Sequence, residues 1–165
     1  QLGTAAWVLA SPVTRAAFIL SKLIAHAAGI LALVVGLQGA VAYLQISLRT
    51  GELLPLLPFA AAVGLHGLHL VFYLTFGLML GVFSQNRGPV IGISVGLWFV
   101  QQAAGLAISA VWPGTPPFLP AGLADMSSAV ASGQPLPSVA PVVSAALLAV
   151  LFVLIALWRF EKEEF

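Results

Sequence analysis

The chain has 165 residues, 61% of them hydrophobic and only 7% charged, with a formal net charge of +1. A soluble domain carries roughly a quarter charged residues, so a chain this apolar belongs to the membrane class before any motif is read. No basic cluster suggests nucleic acid. The lack of cysteine excludes disulfides, a thiol nucleophile and a thiolate metal site.

The first residue is Gln1, and no secretory signal pattern follows it. The expectation is a mature or truncated piece whose natural N-terminus lies upstream. Residues 2–10 are read as a short interfacial helix, with Trp7 suited to the membrane–water boundary. Ser11-Pro12 breaks it, because the residue before a proline is pushed out of the α region. Arg15 and Lys22 then flank the start of a long apolar run.

The first span is expected over 15–47, which is longer than a hydrocarbon core of ~30 Å requires. It must tilt, kink or begin along the interface. Gly29, Gly36 and Gly39 offer close-approach points, and Gln38 is a polar group that needs a partner. Arg49 and Glu52 can pair in the turn that follows. The second span is expected over 53–83, with Pro55 and Pro58 delaying the helix proper to about Phe59. His66 and His69 share one of its faces at i, i+3. Residues 84–89 form a tight polar turn. The third span, 90–111, contains Gln101 and Gln102, which cannot share a face. Gly77/Gly81 and Gly92/Gly96 are small-xxx-small pairs. Residues 112–137 are rich in proline and carry Asp125 as their only charge. Ala121–Ser132 within them can form a short helix that lies on the membrane surface or dips in and caps the bundle. The fourth span is expected over 138–158, followed by a charged tail.

Four spans place Arg15, Lys22, Arg87, Arg159 and Lys162 on one side and Arg49 alone on the other. By the positive-inside rule the first side is cytoplasmic, and both termini with it.

Little chemistry is available. The chain lacks a G-x-x-x-x-G-K-[ST] phosphate loop and an H-E-x-x-H zinc motif. Its carboxylates fall outside the spans, so no buried acid/base pair or proton relay is on offer. The sites of chemical interest are His26, His66 and His69. His26 and His69 reach similar depths on antiparallel spans, an arrangement that can hold haem. Interhelical hydrogen bonding and the lining of a polar cavity are the simpler roles. With Gln38, Gln101 and Gln102 these histidines form the candidate pathway or interhelix polar set.

The order of short helix, Ser-Pro-Val-x-Arg and a lysine at the head of a span resembles the coupling region of ABC-2 type transporter permeases. Gly3, Thr4, Ser11, Pro12, Val13, Arg15 and Lys22 carry the resemblance, and the layout of the remaining chain is similar to the second part of such a permease. The fold class implied is all-α and integral to the membrane: four transmembrane helices over residues 15–165, preceded by a coupling helix over residues 1–14. The resemblance implies a permease subunit of an exporter in a bacterial or archaeal plasma membrane. It further implies an ATPase-coupling contact made by Gly3, Thr4, Trp7, Ser11, Pro12, Val13, Arg15 and Lys22. The partners would be a separate ABC ATPase subunit, which holds ATP and Mg, and a second permease copy or related permease. The chain itself would hold no cofactor. The alternatives from other classes are a haem- or quinone-binding redox subunit using His26, His66 and His69, and a non-transporting membrane scaffold.

Overall fold

A computed structural model of the chain describes residues 14–84, 86–112, 118–135 and 138–162, apart from the side chain of Arg15. Gly3, Thr4, Trp7, Ser11, Pro12 and Val13 of the expected coupling helix lie outside the described residues.

Regular structure among the described residues is entirely helical. Helix α1 (Arg15–Gly29) starts at Thr14, whose Oγ1 accepts from the Ala17 amide at 3.2 Å. This cap satisfies one of the amides that a first turn leaves unpaired. The helix continues through a π-helical segment (Ile30–Leu37) into α2 (Gln38–Thr50). A Cβ on Gly36 would come within 3.2 Å of the Leu31 carbonyl oxygen, so the wide turn is easiest with glycine there. The helix ends at Thr50, beyond the expected Ser47. Gly51 closes it with φ 73°, a left-handed conformation in which glycine carries no Cβ penalty. The Thr50 hydroxyl ties the turn to Glu52 through its carbonyl at 3.2 Å and its amide at 3.4 Å. That hydroxyl, rather than the expected Arg49–Glu52 pair, fastens the turn.

Helix α3 (Leu56–Phe83) begins before Phe59, because Pro58 falls in its first turn, where a missing amide hydrogen costs little. Helix α4 (Arg87–Val111) accommodates Pro89 in the same way. The short α5 (Gly122–Ala131) and the last helix, α6 (Ala140–Glu161), complete the order. Among the described residues four helices are long and apolar enough to cross a membrane: Ala16–Thr50, α3, α4 and α6.

Helix α3 is the centre of the bundle and packs mainly against α6 and α5. Ala145, Ala149 and Ala156 are the buried positions of α6 beyond its first turn, and small side chains let two backbones approach closely. Phe152 fills the space between, with its ring 5.6 Å from Phe72 and 5.1 Å from Phe76. The π segment lies on another side of α3, where Gly67 meets Leu31 and Val35. Of the glycines expected to allow close approach, Gly39 does so, against Val63. A Cβ on Gly29 would meet nothing within 4 Å, and the same holds for Gly77, Gly81, Gly92 and Gly96.

The helices alternate in direction. Phe18 near the start of α1 stacks on Phe160 near the end of α6, and Arg159 lies over the Phe83 ring at the end of α3. The start of α1, the α3–α4 turn and the end of α6 therefore share one end of the bundle. This basic end gathers the backbone of Arg15 with Lys22, Arg87, Arg159 and Lys162, whereas Arg49 stands at the other end.

Candidate functional site

The segment from Phe118 to α5 does not lie across the end of the bundle. It turns into it. At ~1.5 Å per residue, Gln101 lies about 15 Å along α4 from the helix end at Val111. Its Oε1 accepts from the Ala121 amide at 3.0 Å. By the same measure His69 lies about 20 Å from the start of α3. Its Nδ1 donates to the Pro120 carbonyl at 3.1 Å. Two helices thus grip two consecutive residues, deep in the bundle. From that point α5 runs back outward along α3, where the Ser127 hydroxyl donates to the Ala62 carbonyl at 2.8 Å. On the inward limb the Ser144 hydroxyl of α6 donates to the Phe118 carbonyl at 2.6 Å.

A non-helical chain at membrane depth must have its backbone polar groups satisfied by protein, because lipid offers no partners. Pro120 has no amide hydrogen to satisfy. Its carbonyl accepts from His69 and also from the Leu123 amide at 3.0 Å. The Ala121 amide has Gln101. The first turn of α5 closes with Gly122 donating to Leu119 and Ala124 to Ala121. The apolar side is equally complete. Leu123 and Met126 are fully buried with Ala145, flanked by Leu65, Leu68 and Val142. Their spacing, with Ser127 and Val130, puts them on one face of α5.

A cleft of about 380 Å³ opens between α4 and this segment, lined among others by Gln101, Gln102, Leu106, Ser109, Phe118 and Asp125. Gln101 is buried and Gln102 exposed, so of the two adjacent glutamines one found a backbone partner and the other faces outward. Asp125 sits in the first turn of α5, as expected, where a negative charge suits the helix dipole.

The other sequence-selected residues are spread more widely. The His66 ring is exposed and stacks on His69 with centroids 6.4 Å apart. Tyr73 meets His69 edge-on at 5.1 Å. His26 is exposed, and its Nδ1 donates to the Lys22 carbonyl at 2.7 Å. Lys22 holds its ammonium 4.4 Å above the Phe18 ring. Gln38 is exposed on α2. His26 lines a cleft with Tyr73, one turn past His69, so the two histidines are near each other in depth. Among the described residues no group of three or more His, Cys, Asp or Glu is placed to hold a metal ion.

Sequence reasoning passed over Ser127, Ser144 and the buried Thr75, whose hydroxyl bonds back to the Val71 and Phe72 carbonyls. The Leu123, Met126, Val130 stripe was the available signal for a buried face on α5.

Among known proteins, the family model described as ABC-2 family transporter protein matches residues 2–165. No curated protein and no solved structure matched the chain.

Proposed function

The chain belongs to the ABC-2 transporter family and is an integral membrane permease subunit of an ABC transporter, and from that premise we propose that it couples ATP hydrolysis on a separate ATPase subunit to export. The chain has no phosphate-binding loop of its own. In this reading energy arrives through contact with that subunit. The observation that carries the reading is the basic end of the bundle. Helix α1 starts there after Thr14, at the end of the bundle that also carries Lys22, Arg87, Arg159 and Lys162. That end is cytoplasmic by the charge rule, which is the side that holds ATP.

In this reading Gly3, Thr4, Trp7, Ser11, Pro12, Val13 and Arg15 contact the ATPase, and Lys22 anchors the head of α1 at the anionic inner surface. A second permease copy or related permease completes the pathway. The inturned segment that His69 and Gln101 fasten closes the opposite, outer end. His26, Gln38, His66 and Gln102 are the polar groups left to line a path or meet another helix.

Two variants test the coupling contact. Pro12→Gly frees the backbone ahead of α1, since proline fixes φ. Arg15→Glu reverses an anchor. Both variants should insert at normal levels in the complete complex yet lower transport and transport-stimulated ATPase activity. Wild-type values for both would remove the coupling role. Orientation is tested by single cysteines in this cysteine-free chain: Ser128→Cys should label from outside and Ser84→Cys only after permeabilisation. The reverse pattern would move the basic end, and the coupling contact with it, to the wrong side.

A further inference from the structure

The basic end of the bundle has a cleft of its own, remote from the one beside α5. It lies between α1, α3 and the start of α4, with a volume of about 330 Å³. We infer that this cleft binds one anionic phospholipid, with its headgroup phosphate on Lys22 and His26 and an acyl chain along α3.

Charge comes first. Lys22 and His26 are i and i+4 on α1, hence on one face, and both are exposed. No carboxylate lines the cleft. The His26 Nδ1 is committed to the Lys22 carbonyl, which leaves Nε2 as its remaining polar atom. The contact of Lys22 with the Phe18 ring holds the ammonium without neutralising it. Val90, at the inner edge, also lines a neighbouring shallow cleft that contains Asn86 and Arg87. A second cation, Arg87, thus lines the cleft next to this one.

Depth and shape agree with the charge. Lys22 lies about 10 Å along α1 from its start at Arg15, near where headgroups give way to acyl chains. Beyond it the lining is Leu23, Leu74, Gly77 and Leu78. A Cβ on Gly77 would meet nothing within 4 Å, so the glycine leaves a channel in the α3 surface. Cations between membrane helices at the cytoplasmic side select anionic lipid by this arithmetic. The inference does not depend on transport.

The test is native mass spectrometry of the full-length protein, after equilibration with equal amounts of phosphatidylglycerol and phosphatidylcholine. The wild type should retain one phosphatidylglycerol with a preference on the order of fivefold or more over phosphatidylcholine, about the factor one cation supplies. Lys22→Gln should bring the preference to near unity, and Lys22→Arg should keep it. Gly77→Leu should exclude both lipids from this site. A Cβ there meets nothing within 4 Å, and an unaltered thermal midpoint would show that the fold tolerates the change. Equal retention of the two lipids by the wild type would overturn the inference, as would a preference that survives Lys22→Gln. A photo-crosslinker at Leu78 should capture lipid. Capture of a protein helix instead would show that another chain or an upstream span fills the cleft, and would overturn it too.

Discussion

Helices α3 and α4 are neighbours of similar length, 28 and 25 residues, and both are apolar enough to cross a membrane. Within the chain they are held in different ways. α3 buries Ala62, Gly67, His69, Phe72 and Thr75 and packs mainly against α6 and α5, while α4 buries Gln101 alone. In water this would be a paradox, since exposed apolar surface is costly. In lipid it is not, because tails solvate Leu and Phe as well as protein does. Association there depends on close packing and on polar groups that need partners. α3 is held by shape, through interlocking aromatic rings and facing small residues. α4 is held largely by one side-chain amide bonded to a backbone amide on a third segment.

The largest effect expected from this contrast comes from making one substitution in both helices. Phe72 is 1% exposed, with its ring against Tyr73 and Phe152, whereas Phe99 is 61% exposed. Phe72→Ala should destabilise the chain by about 3 kcal/mol, through the cavity it leaves. Phe99→Ala should change stability by less than about 0.5 kcal/mol. Thermal unfolding in detergent reads both. Equal losses would mean that α4 is packed in the assembled protein as α3 is here.

The adjacent glutamines sharpen the comparison at lower cost. Gln101→Leu leaves the Ala121 amide unpaired at depth, a loss of about 1–3 kcal/mol, and frees α4 and the inturned segment together. Hydrogen exchange at a peptide containing Ala121 should accelerate. Gln102→Leu, one residue along and exposed, should leave exchange there unchanged. His69→Leu should have a smaller effect than Gln101→Leu, because the Pro120 carbonyl keeps the Leu123 amide as donor. The two losses should not add, since they act on consecutive residues of one turn. Strict additivity would show that His69 and Gln101 hold independent structures.

Much of this was legible in the residues. Apolar length and polar turns locate the four long apolar helices to within a few residues, because crossing a hydrocarbon core demands a minimum run of apolar helix. The short helix expected over Ala121–Ser132 is present as Gly122–Ala131. Its position was not legible. A segment this apolar satisfies local physics equally well on the membrane surface or inside the bundle. The decision is made by His69 and Gln101, whose partners lie 51 and 20 residues away. Both belong to the pathway or interhelix polar set, but residue type does not name the partner. The π segment was hidden for a different reason. Ile30–Leu37 has the composition of any buried helix, and Gly36 carries the only local hint of a widened turn. The proposed coupling contact of Gly3, Thr4, Trp7, Ser11, Pro12, Val13, Arg15 and Lys22 rests on the resemblance alone, and of these residues Lys22 and the Arg15 backbone are described.

The smallest effect expected is also the one that separates the isolated chain from its assembly. Gly39 and Gly96 are both glycines inside membrane helices. A Cβ on Gly39 would meet Val63 at 3.2 and 3.3 Å, whereas a Cβ on Gly96 would meet nothing within 4 Å. Glycine to alanine in a helix interior favours the helix by roughly 0.5–1 kcal/mol. At Gly39 that gain is offset by the shift forced on Val63, so Gly39→Ala should be near neutral. At Gly96 nothing opposes it within the chain, so Gly96→Ala should raise stability by a fraction of a kcal/mol. The same alanine gives the opposite result if the Gly92/Gly96 face of α4 receives another helix in the complete complex. The added methyl would then hold two backbones apart, and assembly would weaken while the chain alone gained. Thermal unfolding of the chain and co-purification of the complex, measured on the same variant, therefore answer different questions. A stabilised chain with unchanged assembly assigns this face of α4 to lipid. A stabilised chain with impaired assembly assigns it to a partner helix, and makes the sparse packing of α4 a consequence of viewing one subunit by itself.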